Sequence, residues 1–210
     1  MKRRWLKVLT VVAIAAGMAA CSDRPGSVTA PAAQPRLAYV NGYTVLRDKK
    51  GNEWIVLTGV GQASETKTAT IDQDGGQVKL AGTVLTVPRG AVDGPTLFTV
   101  TMLTQPYIKA QLSAVTVSAN GRRGSKGWIA GEELHSFDRP ITLTLSYTGA
   151  KENLPDAAML KGLYVVDDVV QQVFSATVDR RGRSITFTTD HFSDYTPGVP
   201  ADPDSPTRLW

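Results

Sequence analysis

The chain has 210 residues and a formal net charge of +4, yet the surplus lies at one end: four of its 23 Lys and Arg fall within positions 1–20, where none of the 19 Asp and Glu do. Beyond position 20 the count is 19 against 19, a net charge of zero, which withdraws the electrostatic case for nucleic-acid binding. A single cysteine excludes an internal disulfide, so the fold must rest on its core; a body of about 160 residues buries close to 70% of its unfolded surface, enough for one self-sufficient domain.

Residues 1–20 read as an export signal: a basic start at Lys2, Arg3, Arg4 and Lys7, then an apolar run from Val8 to Ala20. The run is short and alanine-rich against the roughly 20 strongly apolar residues that a membrane span needs. It ends in Met18-Ala19-Ala20-Cys21, which resembles the lipobox of bacterial lipoproteins, with Met18 where that family prefers Leu. The resemblance implies cleavage after Ala20, acylation of Cys21, and a mature protein held at a membrane by lipid without spanning it. Ser22 after the cysteine is similar to an outer-membrane sorting pattern of Gram-negative lipoproteins, so the expected location is the cell envelope at the outer membrane. Residues 21–36, with Pro25, Pro31 and Pro35 among small residues, form the expected Pro/Ala-rich linker.

Residues 37–73 are expected to form an N-terminal hairpin, with strands in YTVL and EWIVL closing around Lys49 to Asn52, followed by a connector. From residue 74 the dominant period is two. Phe98, Val100 and Met102 alternate with Thr99 and Thr101, and Ile141, Leu143, Leu145 and Tyr147 alternate with Thr142, Thr144 and Ser146, so each segment has one dry and one wet face. QVKL, TVLTV, AVTVSA, LYVVDD, VFSATV and SITFTT complete the strand set. Turn signals at Lys50-Gly51-Asn52, Gly75-Gly76, Asn120-Gly121 and Arg181-Gly182 separate them. The best helical candidate, KENLPDAAMLKG, is limited by Pro155 to a turn or two. The predicted fold class is therefore all-β, an antiparallel immunoglobulin-like β-sandwich over 74–197, with a flexible Pro-rich tail over 198–210.

GGQVKLAGTVLTVPRGAVDG (75–94), FTVTML, FDRPITLTLSY and HFSDYTP, in that order, resemble the ZU-type domain of zonula-occludens proteins, ankyrins and netrin receptors. The resemblance spans about residues 74–196 and implies a β-sandwich that serves in interactions. Its glycines and Pro88 have an architectural role, relieving or fixing tight turns.

Candidate chemistry is sparse. Glu132, Glu133 and His135 in GEELHSFD read as a solvated edge, and DQDGG lacks the later carboxylates of a calcium loop, so no metal and no cofactor is expected. Arg122, Arg123 and Lys126 of one loop and Arg181, with Arg180 and Arg183, of another would suit an anionic glycan or polymer if the loops met. The stretch His191-Phe192-Ser193 resembles the self-cleaving site of certain death-domain scaffold proteins and of a nucleoporin. That resemblance implies Ser193 as nucleophile on the Phe192 carbonyl and His191 as its base. The competing expectation is a closing strand or corner in which Phe192 and Tyr195 fill the core while His191 and Ser193 satisfy backbone groups. The leading functional expectation is a non-enzymatic interaction or structural module, bound to the membrane through its lipid and to a protein or glycan partner. The second is a self-processing domain.

Overall fold

The computed structural model describes residues 38–40, 43–60, 64–119, 128–150 and 157–201. Cys21, the expected signal and linker, and the loop with Arg122, Arg123 and Lys126 lie outside them.

The described residues form two β-sheets. The smaller joins β5 (Gly76–Leu80), β6 (Thr83–Val87), β10 (Ser136–Ser146), β13 (Thr177–Asp179) and β14 (Ser184–His191) in the order β13-β14-β10-β6-β5. The larger contains β1 (Ala38–Val40), β2 (Tyr43–Asp48), β3 (Glu53–Val56), β4 (Ser64–Ile71), β7 (Thr96–Leu103), β8 (Lys109–Ala119), β9 (Trp128–Glu133), β11 (Lys161–Val166), β12 (Val169–Phe174) and β15 (Asp194–Pro200). Among the described residues of the helical candidate, Ala157–Met159 form one turn of 3-10 helix.

The sandwich follows from the two-residue period. On β7, Phe98, Val100 and Met102 are buried, and on β10 Ile141, Leu143 and Leu145 are; with Val78, Leu85, Val87, Ile185 and Phe187 they form one continuous core. The intervening threonines stay on the outer faces, where Thr144 and Thr186 bond across strands at 2.9 Å. An all-β sandwich is thus the architecture, with an addition that the alternation does not contain.

Part of the larger sheet closes on itself. β2 pairs with β3, β3 with β15, β15 with β11, β11 with β12, and β12 returns to β2 through Val169↔Arg47 and Val170↔Asp48. That last pairing is parallel, the exception among the otherwise antiparallel ladders of the described strands. The ring is a small five-stranded barrel, and Leu46, Val56, Tyr107, Leu163, Val165 and Val170 form a second core with Trp54 packed against it. Tyr107 reaches across to donate a 2.8 Å hydrogen bond to Asp168 in the β11–β12 turn. Burial, reinforced by that carboxylate, pushes the Tyr107 phenol far above its ordinary pKa.

Three expectations about boundaries change. Ser64–Ile71, placed in the connector, is a full strand on the edge of the larger sheet, paired with β7 along its whole length. VFSATV is broken: Val173 and Phe174 end β12 in one sheet, while Thr177 and Val178 start β13 in the other. The folded body also runs past residue 197, because Gly198, Val199 and Pro200 pair with β3 and Val199 is buried.

Gly162 shows how tightly the two cores abut: a Cβ there would lie 2.6 Å from ring atoms of buried Phe187. Gly162→Ala should therefore destabilise the fold by about 1–3 kcal/mol through overpacking. Gly94→Ala, with nothing within 4 Å of its Cβ position, should be neutral in the same urea melt. Equal midpoints for the two variants would show that the Phe187 contact does not constrain the fold.

Candidate functional site

The His-Phe-Ser stretch is the passage from one sheet to the other. β14 ends at His191 in the smaller sheet and β15 begins at Asp194 in the larger, so Phe192 and Ser193 alone carry the chain across the sandwich. β10 makes room by an irregularity in its pairing with β14: Ser136 lies opposite His191, and the next registered pair is Ile141 with Thr189. Phe137, within that irregular stretch, packs edge-on against Phe192 at 4.3 Å between ring centroids, and Phe98 meets Phe192 at 5.7 Å. The backbone is held on both sides, by Phe192 N–H donating to His135 O at 3.4 Å and Leu112 N–H donating to Ser193 O at 3.0 Å.

The corner is closed by a tyrosine. Tyr195 is fully buried, and its hydroxyl donates to the His191 carbonyl oxygen at 2.7 Å while accepting from the Thr189 hydroxyl, also at 2.7 Å. Burial raises the Tyr195 pKa far beyond the physiological range, so the phenol stays a donor. Next to it, Lys109 Nζ lies 2.7 Å from Asp194 Oδ2, and Gln111 donates to the same oxygen at 3.2 Å. The phenol therefore ties the two ends of the crossing to each other, and the Asp194 end is also tied to its own sheet.

His191 sits in an aromatic box. Its ring meets Tyr164 edge-on at 4.7 Å and has Tyr195 and Phe174 at 6.2 and 6.3 Å. Nδ1 lies 3.0 Å from Asp190 Oδ1; a carboxylate only accepts, so this contact selects the tautomer with the proton on Nδ1 and leaves Nε2 as the basic nitrogen. Nε2 is buried and has no hydrogen-bond partner, so no hydrogen bond joins it to the Ser193 hydroxyl. Among the described residues, those with positive φ outside glycine are Ala81, Asp167, Asp168 and Arg183, none of them within the crossing.

Of the other candidate residues, Glu132, Glu133 and His135 are exposed, and the described residues hold no group of three or more His, Cys, Asp or Glu placed for one metal ion. Arg181 is exposed in the β13–β14 turn, where its backbone N–H donates to Asp179 at 3.0 Å. A cleft of about 340 Å³ opens between Asp93, Thr96, Thr116, Ser136 and Asp138, and His191, Phe192 and Ser193 are not in its walls. Thr189, Asp190 and Tyr164 are the parts of the corner that sequence reading missed. For Thr189 and Asp190 the hint was the spacing Thr-Asp-His-x-x-x-Tyr, which carries no meaning until the chain is known to turn there; for Tyr164, far upstream, there was none. No family model matches the chain, and no curated protein matches it.

Two measurements test this geometry. Tyr195→Phe leaves the buried His191 carbonyl and Thr189 hydroxyl short of a partner and should cost about 1–3 kcal/mol in a urea melt; an unchanged midpoint would refute the lock. The hydrogen bond from His191 holds the Asp190 carboxyl below the ordinary aspartate value, so its contribution to stability is present above that value and fades as pH falls through the lowered one. An NMR titration should give a midpoint below the usual aspartate value of about 3.9 that rises in His191→Ala, whereas a midpoint indifferent to the substitution would remove the pairing.

Proposed function

We propose that this chain is a lipid-anchored β-sandwich of the bacterial cell envelope, ZU-type in its sandwich, held at the outer membrane through Cys21. It acts as a non-enzymatic interaction or structural module for a protein or glycan partner. The observation that carries this reading is where the two Pro-rich flanks join the folded body. Ala38 pairs with Val45, Val45 with Ile55, and Ile55 with Val199, so the first and last strands begin and end on one rung of the barrel. Along β15 the bonds to β8 come first, at Asp194 and Tyr195, and those to β3 last, at Gly198 to Pro200. Both flanks therefore attach at the end remote from the β8 junction with the sandwich. That arrangement suits a body tethered through its flanks.

Cys21→Ser, expressed in a bacterial host, should move the protein from the detergent phase to the aqueous phase on phase partition. Retention in the detergent phase would sink the anchor.

One observation favours a second reading, self-cleavage between Phe192 and Ser193: the buried basic nitrogen of His191 has no partner to satisfy it. In that reaction the Ser193 hydroxyl, losing its proton to His191, attacks the Phe192 carbonyl and the peptide nitrogen leaves as the amine. Water then hydrolyses the ester to a Phe192 carboxylate and a free Ser193. The fragment from Ser193 would stay in place, because β15 is bonded to β11, β8 and β3 and buries Tyr195 and Val199. The expected signature is two pieces by mass under denaturing conditions and one species under native conditions, with Ser193→Ala and His191→Ala whole in both. A single full-length mass for all three proteins under denaturing conditions would eliminate this reading.

A further inference from the structure

We propose that the open edge of β4 is a self-association surface that takes a second copy of this chain, strand against strand, centred on Thr66. Edge strands present unpaired backbone N–H and C=O groups, and a folded protein must blunt them or pair them. Among the described strands most edges are blunted. β1 and β13 have three residues each, and β9 pairs irregularly with β8 and ends in the exposed pair Glu132-Glu133. β5 has five residues and opens on Gly76. β4 is different. It has eight residues, no Gly or Pro, a threonine at every second position from Thr66 to Thr70, and a partner, β7, on one side only.

The charges on this strand are arranged for a copy of itself. Ser64 through Thr68 are all exposed, Ala69 is partly covered, Thr70 is exposed and Ile71 is buried, so the unbroken exposed run among the described residues is centred on Thr66. Glu65 and Lys67 flank Thr66 at equal distance, and among the described residues neither has an ion-pair partner. They lie opposite Met102 and Val100 of β7, hence on the core-side face at the sheet margin, where an unmatched charge repels an arbitrary apolar strand.

An antiparallel two-fold pairing about Thr66 sets Thr66 opposite Thr66 and Ser64 opposite Thr68. It also sets Glu65 of each copy opposite Lys67 of the other, twice, at the roughly 5 Å Cβ separation of cross-strand neighbours. Centring on Lys67 would oppose two lysines, and centring on Glu65 two glutamates. A slip of one residue would turn one copy's core face outward. The same two charges that repel other strands thus select one register of one partner. A five-residue contact falls short of the roughly 1,200 Å² of a stable interface, so the association is weak and concentration-dependent. The anchor proposed above would concentrate copies on a surface, but the pairing does not rest on it.

The test is sedimentation velocity of the protein as the bacterial host produces it, in mild detergent at low salt, over a range of concentrations. The wild type should self-associate to a dimer in the micromolar range. Lys67→Glu replaces both ion pairs by Glu–Glu contacts and should weaken the dimer about tenfold or more. Glu65→Lys combined with Lys67→Glu restores opposite charges and should recover the wild-type constant to within about threefold. As a check on register, Thr66→Cys in the Cys21→Ser background should give a covalent dimer with a short bis-maleimide, and Gln77→Cys on the edge of the other sheet should not. A chain monomeric throughout, a dimer indifferent to Lys67→Glu, or a charge-swapped variant as weak as the single one would each overturn the proposal.

Discussion

A β-strand has two hydrogen-bonding edges, and β15 must serve three neighbours with them. One edge is taken by β11 from Lys161 to Val165; the other is divided between β8, at Asp194 and Tyr195, and β3, from Gly198 to Pro200. The change of neighbour falls at Thr196 and Pro197. Proline there has no N–H to lose, and Thr196 turns its hydroxyl to the Ile108 carbonyl at 2.7 Å, filling the gap in the ladder with a side chain. Just beyond, a side chain at Gly198 would run into Leu163 of the barrel core, so the strand can approach its neighbours only with glycine. Through this division one strand both closes the barrel and carries the ladder on to β8.

What brings β15 to that position is the crossing before it. Face-packed sheets lie about 10 Å apart, and two residues are barely enough chain to span that gap. The crossing is therefore short in its connectivity, and the surrounding groups are arranged to hold it: a phenylalanine wedge in the gap, backbone bonds to Leu112 of β8 and to His135 just before β10, and a buried phenol bridging back over four residues to the last carbonyl of β14. His191 acquires its surroundings from this arrangement. Its carbonyl is the acceptor of the lock, and its ring is carried into the aromatic box by the strand end. The chemistry open to it is limited first by architecture, because the corner's own hydrogen bonds already engage Nδ1 and leave Nε2 buried without a hydrogen-bond partner.

Strands with one wet and one dry face were legible because burial imposes a period of two on them, and β7, β10 and β14 fall where the alternation of Thr with Phe, Val, Ile and Leu puts them. The hairpin around Lys49 to Asn52 was legible from its turn residues, and Asp48 satisfies that turn by accepting from Lys50 N and Asn52 N. β4 was not legible because an edge strand buries only its end, so Ser64 to Thr70 lacks the apolar beat that reveals a strand. VFSATV looked continuous because both halves alternate; that the chain changes sheets at Ser175 is decided by partners far away in sequence. Barrel closure is hidden for the same reason, since Arg47↔Val169 joins residues that no local pattern connects. For the candidate site, the residue types at 191–193 were readable, but not whether nitrogen and hydroxyl meet, because that depends on Asp190, Thr189 and the rings around them.

Charge completes the picture of how such a fold manages its surface. Beyond residue 20 the chain has equal numbers of acidic and basic residues, so no net charge keeps copies apart, and each exposed strand edge must be handled locally. Barrel closure removes several edges at once, because β2, β3, β11 and β12 all find both partners within the ring. The short strands and the bulged acidic one take care of most others. What remains is concentrated in β4, where neutrality recurs on the scale of three residues: one acid and one base about a central threonine, balanced only when a second such strand lies against the first in the opposite direction.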